Sequence, residues 1–400
     1  MKTKISSWMI FILRGFLQGL YFFLKLFPVK QKKVVFCSRQ SNQEPLDFRL
    51  LRQSLNAEDP EIITESICCH IGHRISDYIR FAKCLLQSMY HLATCRVCVL
   101  DSYWPAVSML NHKRNLTVIQ IWHAIGKIKK SGYQTLGKTS GRKSVYAKAL
   151  CMHDNYDYVI AGAPIWNPFY CQSFHIAEKK LLNYGLPRID YLLENENKNR
   201  EKFFQEYPEL KNKKIVLYAP TFRKNMKSRW DQILNAPISS DSVFIIKNHP
   251  GQHVQHKSTR EHVYYMDNWK TIDLLAVCDC VITDYSAITL EAAVLKKPVY
   301  FWLYDYKEYM ENNGLNLDLQ KVCAPYVYHD LEELVDSLRI EKYNTEFLDD
   351  FRVKYLPSQM GSSTNSIVQL IISKLGKGQV SSKIYTTVKQ VQGALYEHKA

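Results

Sequence analysis

Short apolar runs alternate with longer amphipathic segments along most of the chain. In the first half, runs rich in Val, Ile and Leu predict strands at residues 33–38, 96–100, 116–122, 158–161 and 181–184, and helical spacing predicts helices at 46–55 and 77–93. In the second half we expect strands at 214–218, 243–247, 280–283 and 298–302, and helices at 271–276, 286–295, 331–340 and 363–374. Strands that alternate with helices favour parallel sheets covered by helices.

A break in this pattern divides the chain, which at 400 residues is longer than one hydrophobic core usually supports. Residues 194–213 are polar, charged and free of β-branched residues, which is typical of a linker or an exposed helix between domains. We expect an N-terminal segment at 1–30, α/β domains at 31–193 and 214–375, and a peripheral tail at 376–400. Two doubly wound, Rossmann-type domains that face a cleft are the simplest architecture.

The N-terminal segment is strongly apolar between residues 5 and 27. Its polar interruptions are seven, four and seven positions apart and form one narrow helical stripe: Ser7, Arg14, Gln18 and Lys25. This spacing favours an amphipathic helix that lies on a membrane, with Lys30, Lys32 and Lys33 available to anionic lipid. A helix that crosses the bilayer would carry Arg14 and Gln18 near its centre at a high cost. A hydrophobic helix packed on its own domain is the other alternative.

Positive charge is concentrated in two places. The chain has 53 Lys and Arg against 38 Asp and Glu, a formal net charge of +15. Residues 1–43 and 102–153 contain 17 basic residues and no acidic one, whereas the remainder is close to neutral. The first block accompanies the apolar segment, and the second surrounds a histidine motif. This distribution indicates a membrane surface and a phosphorylated substrate as partners, and it disfavours nucleic acid, for which no recognition motif is present.

The eleven cysteines are odd in number, and several lie within apolar runs. That usage is typical of reduced core thiols in a cytosolic protein. Cys95 and Cys98 form a single C-x-x-C pair inside a predicted strand, without a second pair at the spacing that zinc requires. We therefore expect no metal site.

Side chains that suit catalysis follow the predicted strands, although the chain has no G-x-G-x-x-G, Walker A, G-x-S-x-G, H-E-x-x-H or D-x-D motif. The strand at 116–122 leads into His123, which is followed by small residues and by Lys127 and Lys130. Ligands bind outside the carboxyl ends of strands in open α/β sheets, so His123 is placed to take a proton from an attacking hydroxyl. A histidine that bonds a neighbouring loop is the alternative.

Two strand ends in the second half carry residues that suit phosphate oxygens. The sequence YAPTFR provides the hydroxyl of Thr221 and the guanidinium of Arg223. The sequence KNHP provides the ammonium of Lys247 and the imidazole of His249. Cationic donors make short, strong hydrogen bonds to phosphate. A surface turn is the alternative for the first of these motifs.

The strand end at Thr283 and Asp284 is the most specific of the motifs. Ser286 is a natural N-cap for the helix that follows, whose N–H groups and positive dipole end suit a diphosphate. Glu291 lies five residues into this helix, where it could reach a ribose hydroxyl. The alternative is that Ser286 serves as a cap and Glu291 faces solvent.

Together these motifs resemble the CDP-glycerol glycerophosphotransferase family of teichoic acid synthesis. Five of them occur in the family's order across residues 34–370: WHAIGKIKK at 122–130, GLPRID at 185–190, YAPTFR at 218–223, KNHP at 247–250 and TDYSA at 283–287. Ala124 and Ala287 stand where the family has Gly and Ser. The second motif adds Arg188 to the expected substrate-binding residues.

The resemblance implies a GT-B-like fold and a peripheral position on the cytoplasmic face of the bacterial membrane. It implies that 214–375 binds a CDP-alditol, CDP-glycerol or CDP-ribitol, and that 31–193 meets a lipid-linked acceptor. A hydroxyl of the acceptor would attack the alditol-bearing phosphorus and CMP would leave. His123 and His249 would be catalytic, while Lys247 and Ser286 would help to hold the diphosphate without a metal or cofactor. Glycerol phosphate is the favoured group.

Other functions fit the same architecture. A ribitolphosphotransferase differs in the alditol, and a GT-B glycosyltransferase for capsule or wall polysaccharide differs in the donor. A basic nucleic-acid-binding protein is the non-enzymatic rival.

Overall fold

Two six-stranded parallel sheets, one in each half of the chain, form the framework of the protein. The structure, a computed structural model, describes residues 2–72, 74–221, 229–247, 262–340 and 343–376. The strands of the first sheet are β1 Lys33–Ser38, β2 Ile63–Cys68, β3 Val97–Leu100, β4 Thr117–Gln120, β5 Tyr158–Ile160 and β6 Leu181–Leu182. They lie in the order β2-β1-β3-β4-β5-β6, with every neighbouring pair parallel.

The second sheet has the same design. Its strands are β7 Lys214–Tyr218, β8 Ser242–Ile246, β9 Val263–Tyr265, β10 Cys280–Thr283, β11 Val299–Trp302 and β12 Val327–Tyr328. They lie in the order β12-β11-β10-β7-β8-β9, again all parallel. The prediction of an α/β fold with two parallel-sheet domains is confirmed.

Helices connect the strands. In the first half they are α1 Lys2–Leu24, α2 Leu46–Glu58, α3 Ile75–Thr94, α4 Pro105–Met109, α5 Ser144–Ala149, α6 Asn167–Phe174 and α7 Pro187–Glu206. In the second half they are α8 Trp230–Asn235, α9 Thr271–Leu274, α10 Ile288–Val294, α11 Tyr306–Asn312, α12 Leu319–Val322, α13 Leu331–Ile340, α14 Thr345–Tyr355 and α15 Ser363–Lys374.

Sequence periodicity locates the central strands well and the edge strands poorly. Strands β1, β7 and β10 have the predicted bounds, as do helices α13 and α15. Strand β2 was not predicted, because it lies at the edge of its sheet and its residues are mostly exposed or half-buried, which leaves no apolar run. Strand β4 stops two residues earlier than expected, at Gln120, because the backbone turns sharply at Trp122.

The predicted domain boundaries need one correction. Residues 194–213, expected to be a linker or an exposed helix, are largely the second half of α7, which is followed by the turn Pro208–Leu210 before β7. Helix α15, expected in the second domain, packs on α2 and α7 instead. The carboxylate of Asp190 accepts the backbone N–H groups of Ser363 and Thr364 (3.2 and 2.6 Å), which fixes the start of α15 on the first domain.

Three residues of the predicted polar stripe at the N-terminus bond the protein. Arg14 donates to the carbonyl of Met109 (2.9 Å), and the side-chain oxygen of Gln18 accepts the N–H of Asn111 (2.8 Å). Lys25 donates to the carbonyl of Asn111 (3.1 Å). The large apolar side chains on the other side of the helix are exposed: Trp8, Met9, Phe11, Ile12, Leu13, Phe16, Leu20, Phe22 and Phe23. Leu17 and Tyr21, which lie among the polar residues, are buried, so α1 has an apolar contact with the protein and a larger apolar side that is exposed.

Two of the lysines expected to be available to lipid have other partners. Lys32 forms ion pairs with Asp59 and Glu61 (2.8 and 2.5 Å), and the buried Lys33 donates to Thr94 (2.8 Å). Lys30 is exposed. Among the described residues, no helix combines the length and apolarity that a membrane crossing requires.

All eleven cysteines are free thiols, and seven of them are buried.

Candidate active site

His123 stands at the carboxyl end of the first sheet, directly after a strained turn. Trp122 adopts φ 60°, the left-handed region that is unfavourable for a bulky residue. The side-chain oxygen of Gln120 accepts the N–H of Trp122 (2.9 Å), which stabilises this conformation. The ring centre of His123 lies 4.0 Å from the ring centre of Trp122. The turn thus ends β4 and fixes the imidazole beyond the strand.

The hydrogen bond of His123 defines its tautomer. Its Nδ1 lies 3.0 Å from the carbonyl oxygen of Asp101, and because a carbonyl can only accept, Nδ1 carries the proton. The side-chain amide nitrogen of Gln40 lies 3.1 Å from the same nitrogen, and with the proton on Nδ1 both groups are donors, so this tautomer requires the Gln40 amide to turn its oxygen toward the ring. Burial lowers the pKa of His123 to about 4, so the ring is neutral at physiological pH. The lone pair on Nε2 can then accept a proton.

Asp101 was not predicted, although the rule that located His123 also applies to it. It follows β3, the neighbour of β4, so both residues lie at the same edge of the sheet. Ser38, at the end of β1, donates to its Oδ2 (2.7 Å), while its Oδ1 is buried and has no hydrogen-bond partner in the described part of the chain. Burial raises the pKa of Asp101 to about 6. The carboxyl ends of three adjacent strands therefore surround the imidazole.

Lys127 does not have the exposed position expected of a substrate-binding residue. Its ammonium is buried and lies 3.9, 4.3 and 5.2 Å from the ring centres of Trp122, Phe174 and Tyr170. It donates to the hydroxyl of Ser131 (2.7 Å). Burial lowers the pKa of Lys127 well below its ordinary value. The structure gives this lysine a role in holding the loop behind His123.

The lysines that follow join the two domains. The backbone N–H of Lys130 donates to the carbonyl of Gly314 (3.1 Å), and its aliphatic stem packs against that glycine, which adopts φ 79°. Lys129 pairs in an isolated antiparallel bridge with Leu315, and its ammonium donates to the hydroxyl of Thr221 (3.0 Å). Lys130 therefore lies at the domain boundary, and Lys129, which was not predicted, links the two strand-end motifs.

Thr283 and Asp284 are buried supports of the second sheet. The hydroxyl of Thr283 donates to the carbonyl of Ala219 (2.7 Å). The carboxylate of Asp284 accepts the backbone N–H groups of Thr221 and Tyr285 (2.9 and 2.6 Å). These bonds tie the end of β10 to the loop after β7. Both side chains are buried, and the expectation that they bind substrate stays a prediction.

Ser286 and Lys247 follow the two strands that flank β7, β10 and β8, in the second domain. Helix α10 starts at Ile288, two residues later than expected, and Ala287 occupies the N-cap position. The hydroxyl of Ser286 accepts the N–H of Ile288 at 3.4 Å, a long contact. The ammonium of Lys247 donates to the carbonyls of Met266 and Asp267 (2.8 and 3.2 Å). Two other residues expected here, Arg223 and His249, lie outside the described residues.

Arg188 and Glu291 form a buried ion network between the domains. The guanidinium of Arg188 bonds the carboxylate of Asp47 on α2 (2.5 and 3.0 Å) and that of Glu291 on α10 (3.1 Å). Burial acts to lower the pKa of Arg188, but the two carboxylates raise it overall. Burial raises the pKa of Glu291. In this structure Glu291 pairs with Arg188, whereas it was expected to reach a ribose hydroxyl. Asp47 was not predicted, because the sequence around it contains no distinctive motif.

In the part of the chain that the structure describes, no three His, Cys, Asp or Glu side chains are grouped so that they could hold a metal ion. Transfer without a metal or cofactor remains a prediction.

The arrangement defines the class of the protein. Two facing parallel-sheet domains of the GT-B-like type, with a neutral histidine at the strand ends of one and cationic and hydroxyl groups at the strand ends of the other, are the framework of a transferase. The chain belongs to the CDP-glycerol:poly(glycerophosphate) glycerophosphotransferase family, whose model matches residues 20–373. The resemblance inferred from the five motifs is therefore confirmed.

Similar proteins carry names from teichoic acid synthesis. The chain is 31% identical to the teichoic acid ribitol-phosphate primase of Bacillus spizizenii, over 94% of this chain and 100% of the relative. It is 28% identical to the teichoic acid glycerol-phosphate primase of Bacillus subtilis, over 72% of this chain and 76% of the relative. A solved structure of the wall teichoic acid polymerase TagF with CDPG superposes with a TM-score of 0.73 at 18% identity, covering 94% of this chain and 98% of that chain, and it shows the shared fold.

Proposed function

We propose that this protein transfers an alditol phosphate, with glycerol phosphate as the favoured group, from a CDP-alditol to a hydroxyl of a membrane-linked acceptor in the synthesis of teichoic acid or a related polymer. The observation that carries the proposal is the state of His123. Its proton is held on Nδ1 by the Asp101 carbonyl, and burial keeps the ring neutral, so Nε2 is available as a base.

The proposed reaction uses His123 as the base. The acceptor oxygen forms a bond to the phosphorus that carries the alditol, the bond from that phosphorus to the CMP oxygen breaks, and CMP leaves. Nε2 of His123 receives the proton of the attacking hydroxyl. Phosphoryl transfer depends mainly on positioning and on stabilisation of charge, so groups that hold the diphosphate complete the site.

The donor site is proposed at the carboxyl ends of β7, β8 and β10. Lys247 and Ser286 follow two of these strands, and Thr221 follows the third, where its hydroxyl accepts from Lys129. Arg223 and His249 complete the set on the strength of the sequence motifs. These cations and N–H groups would offset the charge of the diphosphate, and we expect transfer to proceed in the presence of EDTA.

Replacement of His123 tests this assignment. His123→Ala should reduce CMP release by about 10²- to 10⁴-fold, the usual contribution of a general base, while CDP-alditol binding stays within about twofold. His329→Ala removes an exposed histidine and is the matched control. Normal turnover by His123→Ala would show that the histidine is not the base.

CMP release from CDP-alditols should exceed nucleotide release from nucleotide sugars, and the reverse would identify a glycosyltransferase instead.

A ribitol donor is the second candidate. It is favoured by the 31% identity to a protein named as a ribitol-phosphate primase, which the chain matches over its whole length. Purified protein, a lipid-linked acceptor and either CDP-glycerol or CDP-ribitol would separate the two alditols, since the mass added to the acceptor differs. The mass also shows whether one unit or many are added.

We also propose that α1 rests on the cytoplasmic face of the membrane. The support is the exposed apolar side of the helix, which includes Phe16 and Phe23, together with the inward bonds of its polar stripe. Phe16→Glu/Phe23→Glu should lower co-sedimentation with phosphatidylglycerol vesicles, because two charges would enter the apolar contact. Val353→Glu, at an exposed apolar residue on α14, is the control. Equal binding by all three proteins would exclude this face.

A further inference from the structure

A cavity of about 230 Å³ adjoins His123 on the first domain. Two arginines line it: Arg39, which follows β1, and Arg142, which precedes α5. Ser140 also lines the cavity, and its hydroxyl donates to the carbonyl of Asn312 in the second domain (3.0 Å). The cavity therefore lies between the candidate base and the domain boundary.

Both guanidinium groups pack against Tyr103. Their central carbons lie 5.7 Å (Arg39) and 4.9 Å (Arg142) from the centre of its ring. Nη1 of Arg39 donates to the carbonyl of Tyr103 (3.1 Å). In contrast, Nε of Arg39 and Nη1 of Arg142 are buried and have no hydrogen-bond partner among the described residues. Buried N–H donors are normally hydrogen-bonded, yet each of these arginines has one buried donor without a partner, and both residues line the same cavity.

The described residues that line the cavity also provide no countercharge for the two cations. Of the described residues that line the cavity, none is an aspartate or a glutamate. Burial lowers the pKa of Arg39, and the positive charge of Arg142 lowers it further. Two like charges beside one another are costly for a fold, and an anion with several oxygens would satisfy both the charge and the two buried N–H groups.

The surroundings of the cavity connect it to the membrane-facing side of the protein. The hydroxyl of Tyr103 donates to the carbonyl of Leu150 (2.7 Å). Leu150 in turn lines an apolar groove of about 160 Å³ together with Leu13 and Leu17 of α1. The cavity and the groove thus share a wall, so an anion in the cavity lies close to the helix with the exposed apolar face.

We propose that Arg39 and Arg142 form a subsite that binds a phosphate group of the membrane-linked acceptor and so brings the acceptor hydroxyl to His123. This inference rests on the proposed function and deepens it by naming the acceptor group that is recognised. The pair is separate from the strand ends of the second domain, where the CDP-alditol is proposed to bind.

Binding of a soluble acceptor fragment tests the subsite without turnover. Glycerol 3-phosphate should bind the full chain in calorimetric titration, and glycerol should not. Arg142→Gln or Arg39→Gln should weaken this binding by about 10- to 100-fold, the range for a lost hydrogen bond to a charged group. Lys143→Gln removes one exposed charge from the next residue and should bind like the unsubstituted protein. Equal binding by Arg142→Gln and Lys143→Gln would refute the subsite.

Steady-state kinetics show which substrate the arginines serve. Arg142→Gln should raise the KM for a phosphorylated acceptor and leave the KM for the CDP-alditol unchanged, and Arg142→Lys should recover part of the loss. A rise in the CDP-alditol KM instead would assign the pair to the donor and overturn the proposal.

A structural role makes a different prediction. Because Arg39 and Arg142 repel each other, Arg142→Gln should keep or raise the melting temperature in the absence of ligand. Added glycerol 3-phosphate should stabilise the unsubstituted protein and not the variant. A variant that melts much earlier and is equally stabilised by the ligand would show that Arg142 supports the fold alone.

The two proposals can fail separately. Glycerol 3-phosphate that binds through Arg142 in a protein that releases no CMP from any CDP-alditol would refute the proposed function and keep the subsite. Normal CMP release with an unchanged acceptor KM in Arg142→Gln would keep the function and refute the subsite.

Discussion

Replacement of Arg188 by methionine is expected to destabilise the protein strongly, because Arg188 connects two buried carboxylates from different domains. The side chains of Asp47 and Glu291 are 3% and 5% exposed, and that of Arg188 is 20% exposed. Arg188→Met keeps most of the side-chain volume but leaves both carboxylates without their cation. Removal of one partner from a buried ion pair costs about 3–5 kcal/mol, so the free energy of unfolding should fall by that amount.

The assay is equilibrium unfolding in urea, followed by circular dichroism, and the first transition is compared between variants. Lys321→Met is the matched control, since Lys321 pairs with Asp318 but is 84% exposed and should show little change. The triple variant Asp47→Asn/Arg188→Met/Glu291→Gln should recover much of the loss, because no buried charge is then left unpaired. A loss below about 1 kcal/mol in Arg188→Met, or no recovery in the triple variant, would refute this reasoning.

The loss of stability in Arg188→Met should depend on pH. Burial raises the pKa of Glu291 even with Arg188 present, and loss of the guanidinium should raise it further. A carboxylate with a raised pKa in the folded state favours folding at low pH, and this contribution disappears as pH rises through the folded pKa. The deficit of Arg188→Met should therefore be smaller at pH 5 than at pH 8. A triple variant that is stable but has lost CDP-alditol binding would instead assign this group of three residues to the substrate site.

Two further predictions concern the loop that carries the base. The imidazole signals of His123 in NMR should titrate near pH 4, as burial lowers its pKa, and a midpoint near the ordinary value of about 6.5 would contradict the buried site. Gly126→Ala should lower the free energy of unfolding by about 1–3 kcal/mol, since a Cβ there would lie 2.5 Å from Trp166 and 2.7 Å from Leu290. Gly19→Ala, where a Cβ meets no atom within 4 Å, is its control and should not destabilise; equal losses in both would exclude the close approach.

The motifs that follow strands were within reach of the sequence because parallel strands end at one edge of a sheet. His123, Thr221, Lys247 and Ser286 could be assigned to strand ends from apolar runs alone, and the structure puts them there. The same rule would have found Asp101, since it follows a predicted strand. Lys127 shows the limit of this rule. Its burial depends on three aromatic rings, and two of them lie on α6, which is far from Lys127 in the sequence.

The sequence by itself determined the α/β class, the two halves, the order of most strands along the chain and the family. These depend on local periodicity and on short motifs, which act over a few residues at a time. The tertiary structure decided which side of α1 faces the protein, that Arg188 pairs with Asp47 and Glu291, and that Arg39 and Arg142 meet at one cavity. Each of these contacts joins residues far apart in the chain, so only the packing of the elements brings the charges together.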